Sequence, residues 1–289
     1  MNEQMRETAL RGSSAYPIVL YHMPNEQYPL HAPFHWQDDV EILSVTSGQV
    51  ALTRKEETIL LHCGDMVCIN PGELHSFCAV TPDAGCDIFI FPTEHLTFAN
   101  EDHDQSRYLR PLTEKQSGFP LCVDTKDKPL ILQAMDLQKT RPIAYELQTK
   151  LLLLQWIVRL AQTDSFVTLH TTKQGDVCKE ILTYIRQHYT ERLTIPEIAT
   201  AVGISPTYFS AFFTEHFSQH FGDYLRSVRI EQACALLLDT ALSVTEIALA
   251  VGFSSGSHFI QHFRKALGMT PFTYRKRNET APEFRNPTP

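Results

Sequence analysis

The sequence has no C-x-x-C pair, and its seven cysteines (Cys63, Cys68, Cys78, Cys86, Cys122, Cys178 and Cys234) are odd in number and scattered. That pattern provides neither a disulfide framework nor a structural zinc site, and it suits a reducing compartment. Long apolar runs are also missing. The strongest candidate, LLLLQWIVRLA from Leu151, is short and interrupted, well under the roughly 18 residues of a membrane span. The opening stretch MNEQMRETALRGSSAYP is polar and lacks the apolar segment of a secretory signal. A cytoplasmic location with no membrane partner is therefore expected. Excess positive charge is lacking too, for the net charge is −8, and taken whole this argues against nucleic acid.

Counted by segment, the charge is uneven. Residues 1–172 carry 13 Lys and Arg against 22 Asp and Glu, whereas residues 173–277 carry 11 against 9, with five further histidines. Basic ends at Arg264–Lys265 and Arg275–Lys276–Arg277 could meet phosphates while the acidic half stays clear of them. At 289 residues, 43% hydrophobic and 20% charged, the chain suits a globular protein of about two domains. From Ile18 to about Pro92 it runs in short alternating segments (EILSVTSG, QVALTR, TILLHCGD, MVCINPGELHSF, CDIFIFP) broken by Gly, Pro and Asp. Such a pattern predicts a small antiparallel barrel or sandwich. Loop with short helical turns is expected over residues 93–129, then a leucine-rich helix over 143–162. That helix has two apolar stripes, one through Leu147, Leu151, Leu154, Val158 and Ala161, the other through Leu152, Leu153, Trp156, Ile157 and Leu160. One stripe can cover the barrel and the other a second copy, which makes a homodimer the expectation. The division is residues 1–164 as a β-rich domain with the dimerisation helix, 165–175 as linker, and 176–289 as an almost wholly helical domain.

The helical part repeats itself. LTIPEIATAVGIS from Leu193 returns 49 residues later as LSVTEIALAVGFSS from Leu242. In each copy Thr194 or Ser243 stands three residues before Glu197 or Glu246, the capping-box spacing that satisfies the first amides of a helix. Gly203 and Gly252 then allow a sharp turn. A second helix opens at Ser205 or Ser255 and places Phe209 with Phe213, or Phe259 with Phe263, on one face by i, i+4 spacing. Thr207, Ser210 and Ala211, and Ser257, His258 and Gln261, are left pointing outward. Small and amide-bearing groups at the start of such a helix suit the major groove. Two such units are a double helix-turn-helix, with residues 222–239 as a spacer helix burying Leu225, Val228, Ala233, Leu236 and Leu237.

Residues 176–277 resemble the DNA-binding domain of the AraC/XylS family of bacterial transcription regulators. The residues that carry the likeness are Arg229, Ala233, Leu236–Leu237, the run EIALAVGF at 246–253, Phe259, Phe263, Gly268 and TPFTYRKR at 270–277. The resemblance implies promoter DNA, a small-molecule effector and RNA polymerase as partners, an activator as the role, and pairing through a helix after the barrel. The candidate DNA contacts are Ser205, Pro206, Thr207, Ser210, Thr214, Ser255, Gly256, Ser257, His258, Gln261, Arg264 and Lys265. Ala211 departs from the family's pattern, in which a long polar residue is common, and throws readout by the first copy onto Thr207, Ser210 or DNA shape.

In the N-terminal half, His35-Trp-Gln37-Asp-Asp-Val-Glu41 resembles the first cupin motif, with Gln in place of the second His, and Pro71-Gly72-x-x-His75 resembles the second. The fold class expected is thus multidomain: an all-β cupin-like barrel with appended helices, then an all-α double helix-turn-helix. In metal-bearing cupins these positions converge, so His35, Gln37, Glu41 and His75 are an N/O set for a divalent ion. The preferred reading is a small effector held by His35, Trp36, Gln37, Glu41, His75 and Phe77, whose mixture of ring and hydrogen-bonding groups suits a sugar, with no cofactor and no catalysis. The competing reading is a cupin-type metalloenzyme carrying an accessory DNA-binding domain.

Overall fold

The computed structural model describes residues 16–24, 30–54, 57–169, 173–217 and 219–279. Eight strands, β1 (Val19–Pro24), β2 (His31–His35), β3 (Val40–Ser47), β4 (Gln49–Arg54), β5 (Glu57–His62), β6 (Met66–Ile69), β7 (His75–Ala79) and β8 (Gly85–Phe91), form two antiparallel sheets, in the orders β1-β8-β3-β6 and β2-β7-β4-β5. Alternation turns Leu43, Val45, Val50, Leu52, Val67, Ile69, Phe77, Ile88 and Ile90 into one core between facing sheets, as in other two-sheet folds.

The first sheet has a second buried face. There Val40, Ile42, Cys68, Phe89 and Phe91 pack on helical residues including Ile131 and Trp156. After β8 come two helical turns (Thr93–Leu96 and Gln105–Leu109), α1 (Arg110–Thr113) and β9 (Ser117–Gly118), then α2 (Lys128–Thr140) and α3 (Tyr145–Gln162). Short turns were expected in this stretch, but α2 was not. Its buried Leu130, Ile131, Ala134, Met135 and Leu137 sit at helical spacing beside a proline that can occupy a first turn. On α3 the stripe Leu152, Leu153, Trp156, Ile157 and Leu160 faces the barrel, with Phe119 stacked on Trp156 at 4.6 Å. Full burial of each such side chain stabilises by about 1.5–3 kcal/mol. Of the other stripe, Leu147, Leu151 and Val158 are 69%, 66% and 52% exposed, whereas Leu154 packs half-buried against the same core and Ala161 is half-buried.

The segment read as linker begins as structure. Val167–Thr168 forms β10, paired with β9, residues 170–172 lie outside the described residues, and α4 (Lys173–His188) follows. Then α5 (Ile195–Ala201) and α6 (Pro206–Phe217) pack with α4 around Ile181, Leu182, Ile185, Ile198, Phe209 and Phe213. The long α7 (Phe221–Asp239) leads to α8 (Val244–Ala250), α9 (Gly256–Leu267) and α10 (Pro271–Glu279), gathered around Ile247, Phe259, Phe263 and Tyr274. Two arginines brace these halves by capping backbone carbonyls. Arg229 donates to Tyr189 O and Glu191 O, each at 2.7 Å. Arg275 donates to Leu237 O at 3.0 Å and Leu242 O at 2.6 Å. The basic end at Arg275–Lys276–Arg277 was read as able to meet phosphates, while the family resemblance implies that residues 271–275 close the domain; the Arg275 guanidinium does the second.

Candidate functional site

Both helix-turn-helix units form as the capping signals predict. Thr194 with Glu197 and Ser243 with Glu246 make capping boxes, and Gly203 and Gly252 take left-handed φ of +72° and +88°. The hydroxyls of Ser205 and Ser255 accept from the amides of Tyr208 and His258, at 3.2 and 3.3 Å, and start α6 and α9. With Phe209, Phe213, Phe259 and Phe263 fully buried, the opposite faces are left to solvent. Ser205, Pro206, Thr207, Ser210 and Thr214 are exposed on the first unit, and Ser255, Ser257, His258, Gln261, Arg264 and Lys265 on the second, while Gly256 is half-buried.

The two faces differ chemically. On α6 the hydroxyls of Ser210 and Thr214 donate back to Pro206 O and Ser210 O, both at 3.1 Å, as such side chains do inside helices. Exposed Tyr208 and Glu215 flank them, two positions that the sequence reading passed over. At the place of Glu215, α9 has Lys265, and at that of Thr214 it has Arg264. The exposed Ile260, an apolar side chain on the same face, was also passed over. His258 shares a 2.9 Å contact between ring Nε2 atoms with His262, whose ring stacks on Phe253. The basic charge is thus on the second unit.

In the N-terminal unit, register brings distant residues together. His35 on β2 is the strand partner of His75 on β7, their ring centroids 4.2 Å apart. Glu41 on β3 sits between Ile69 and Ile90, on the same inward face as Leu43 and Val45. All three are buried, as is Gln37. His35 Nδ1 bonds Pro33 O at 2.8 Å and His75 Nδ1 bonds Glu73 O at 2.9 Å; a carbonyl only accepts, so each ring carries its proton at Nδ1. The Gln37 amide donates to Glu41 Oε2 at 2.7 Å. The other carboxylate oxygen, Oε1, and His75 Nε2 have no hydrogen-bond partner and stand 3.7 Å apart. Burial alone would raise the Glu41 carboxyl, but His75, then His35 and the Gln37 amide, outweigh it and hold it down to about 2. Burial likewise works against a charged His75, and the Glu41 carboxylate prevails and raises it. Among the described residues, His35, Glu41 and His75 have ligand atoms that all lie within 4.8 Å of one another, and the donor set fits a divalent ion.

Phe77 is buried with its ring 6.4 Å from that of His35. Trp36 lies to the side, under the Lys179 ammonium at 5.2 Å from its ring centroid. A crevice of about 10 Å³ is lined there by His35, Trp36, Leu182, Thr183 and Arg186, so this wall of the barrel abuts α4. Phe34, between the cluster and that wall, is 4% exposed and belongs to the core of the first helix-turn-helix unit. Its ring meets Phe217 at 5.5 Å, edge to face, and its carbonyl accepts from the Tyr224 hydroxyl at 2.7 Å. Nothing in the sequence marked Phe34 as leaving its own domain.

Residues 21–155 match the family model for the AraC-like ligand binding domain, and residues 198–277 a helix-turn-helix domain. The HTH-type transcriptional regulator YdeC of Bacillus subtilis is 27% identical over 96% of this chain and 98% of its own. The HTH-type transcriptional activator AarP of Providencia stuartii is 33% identical over 38% of this chain and 82% of its own. The same two-domain fold is seen in crystalline ToxT from Vibrio cholerae bound to an unsaturated fatty acid, with a TM-score of 0.51 at 12% identity, covering 91% of this chain and 96% of that one.

Proposed function

Because the chain belongs to the AraC family of helix-turn-helix transcription regulators, we propose that it activates transcription from a promoter carrying two half-sites, as a cytoplasmic homodimer whose DNA affinity answers to a small effector in the N-terminal domain. The observation that carries this reading is the pair of capped recognition helices, α6 and α9, each with its phenylalanines buried and its polar face exposed. Phosphate contacts supply most of the affinity of such proteins, and here Arg264 and Lys265 place them on α9. Gln261 beside them is the amide suited to adenine. On α6, Thr207, Ser210 and Thr214, with Ser205 and Pro206 at its start, offer little charge. That copy adds register and shape recognition.

Activation, through contact with RNA polymerase, is supported by the relative named as an activator. Dimerisation is supported by the outward stripe of Leu147, Leu151 and Val158 on α3, a contiguous apolar face of the kind that marks interfaces. No helix among the described residues is long and apolar enough to cross a membrane, which agrees with a site of action on DNA. The relatives carry the names of regulators, which favours a regulator over a metalloenzyme with an accessory domain. For the effector, His35, Gln37, Glu41, His75 and Phe77 gather at one point, and Trp36 guards the wall beside them. Their mixture of ring and hydrogen-bonding groups suits a small polar effector.

The test is selection of binding sites from random duplexes by the full chain, followed by affinity measurement across salt. Enrichment of a defined motif with affinity falling steeply as salt rises is expected. Recovery of no motif, with affinity the same for every duplex, overturns sequence-specific regulation.

A further inference from the structure

The geometry of Glu41 and His75 is that of a long ion pair with no hydrogen bond in it. A charge-assisted bond between an imidazole and a carboxylate closes to about 2.7–2.9 Å, yet these atoms stand 3.7 Å apart with neither one hydrogen-bonded. Leaving a carboxylate oxygen so placed in a dry interior is costly. The surrounding bonds keep it there: Gln37 fixes the other oxygen, and the carbonyls of Pro33 and Glu73 fix the two rings by their Nδ1 atoms. Rings held in that way by an outer acceptor are set to ligate through Nε2. Atoms about 2.1 Å from a shared cation are at most about 4.2 Å from each other. The 3.7 Å pair already meets that limit, and the separation of up to 4.8 Å within the cluster needs only a small closure. Two imidazoles with one carboxylate select first-row transition metals over magnesium or calcium.

What gives this cluster a wider consequence is the residue next to it. His35 turns into the barrel, while Phe34 turns out of it into the core of the DNA-binding domain, against Phe217 at the end of α6. The ladder between β2 and β7 is irregular between Ala32 and His35, and a bulge of that kind re-aims a side chain. Two successive carbonyls therefore serve two domains: that of Pro33 holds the His35 ring, and that of Phe34 holds Tyr224 of α7. A shift of His35 that closes the cluster moves the backbone on which α6 is seated.

We infer that His35, Glu41 and His75 bind a divalent first-row transition metal, and that its binding is relayed through Phe34 to the first recognition helix, so that the metal sets the affinity for DNA. This rests on the DNA-binding reading above and names its effector. The experiment uses the full chain, stripped with chelator and titrated with Co²⁺, whose visible absorption reports nitrogen and oxygen ligands directly. Anisotropy of a labelled duplex carrying the selected motif is measured with and without the ion.

One Co²⁺ per chain is expected, lost in His75→Ala and in Glu41→Gln, the second variant keeping the shape of the side chain should the first fail to fold. DNA affinity should change about fivefold or more on loading, the lower end of ordinary couplings between sites. Phe34→Leu should keep the cobalt spectrum and lose that change. A wild-type chain without the spectrum, or a spectrum indifferent to both ligand substitutions, overturns the site. Metal-independent DNA affinity, or a response intact in Phe34→Leu, overturns the relay. Failure to bind DNA at all would sink the regulator reading instead, and the cobalt spectrum would still decide the metal site.

Discussion

Alanine at Gly203 and alanine at Gly252 are expected to cost very different amounts of stability. Both glycines end the first helix of a helix-turn-helix unit with positive φ, +72° and +88°, and a Cβ in that region costs about 1–2 kcal/mol. At Gly203 nothing else is added, because no atom lies within 4 Å of the new methyl. At Gly252 the methyl would lie 2.6 Å from Thr190 O and 2.8 Å from Tyr189 O. These carbonyls cannot easily retreat, since Arg229 donates to Tyr189 O and to Glu191 O one residue beyond Thr190. Forcing them aside is overpacking, about 1–3 kcal/mol. Gly203→Ala should therefore destabilise by about 1–2 kcal/mol and Gly252→Ala by about 2–5 kcal/mol. Urea titration of the full chain followed by far-ultraviolet circular dichroism measures both, because most of the helix belongs to the C-terminal domain. Equal shifts, or a larger one for Gly203→Ala, would refute the claim that the second turn is packed against the end of α4.

Arg264→Ala should weaken binding about equally on all duplexes and lower the salt slope by about one unit; a change in sequence preference instead would show that Arg264 reads a base. Gln261→Ala should relax one position of the selected motif, at about 1–3 kcal/mol, and an unaltered motif would remove Gln261 from the contacts. Leu151→Asp on the open stripe of α3 should leave the fold intact and convert a dimer into monomers on sedimentation, whereas Ile157→Asp should unfold the domain, because Ile157 is 4% exposed. A dimer undisturbed by Leu151→Asp would place the interface elsewhere. The Glu197 and Glu246 carboxyls are held below their ordinary range by the hydroxyls and amides of Thr194 and Ser243. Being lowered in the fold, they contribute stability that is present above the ordinary glutamate range and fades as pH falls through their lowered values. Acid titration of Glu246→Gln should show a smaller loss on acidification than the wild type, and an identical loss would clear the capping box of this role.

What the sequence determined by itself were the features whose causes act within a few residues. Capping boxes, the turn glycines and the i, i+4 phenylalanines each fix a local shape, and together they specified two helix-turn-helix units and their exposed faces, from Ser205 to Thr214 and from Ser255 to Lys265. Alternation likewise announced the strands, and the two stripes of α3 were both visible. Which stripe faces the barrel was not, since periodicity counts faces without saying what covers them; only the packing of Trp156 on Phe119 decides it. For the same reason β8, which reads as an ordinary strand, proves buried along its whole length once α2 and α3 are laid over it. His35, Glu41 and His75 were legible as candidates through their likeness to the cupin motifs, but their meeting depends on a register between β2 and β7 that no local rule sets. The fate of Phe34 and the partners of Arg275 were decided by tertiary structure alone. One is a strand residue whose ring completes another domain's core, the other a cation consumed by two carbonyls, and in each case the partner lies dozens of residues away along the chain.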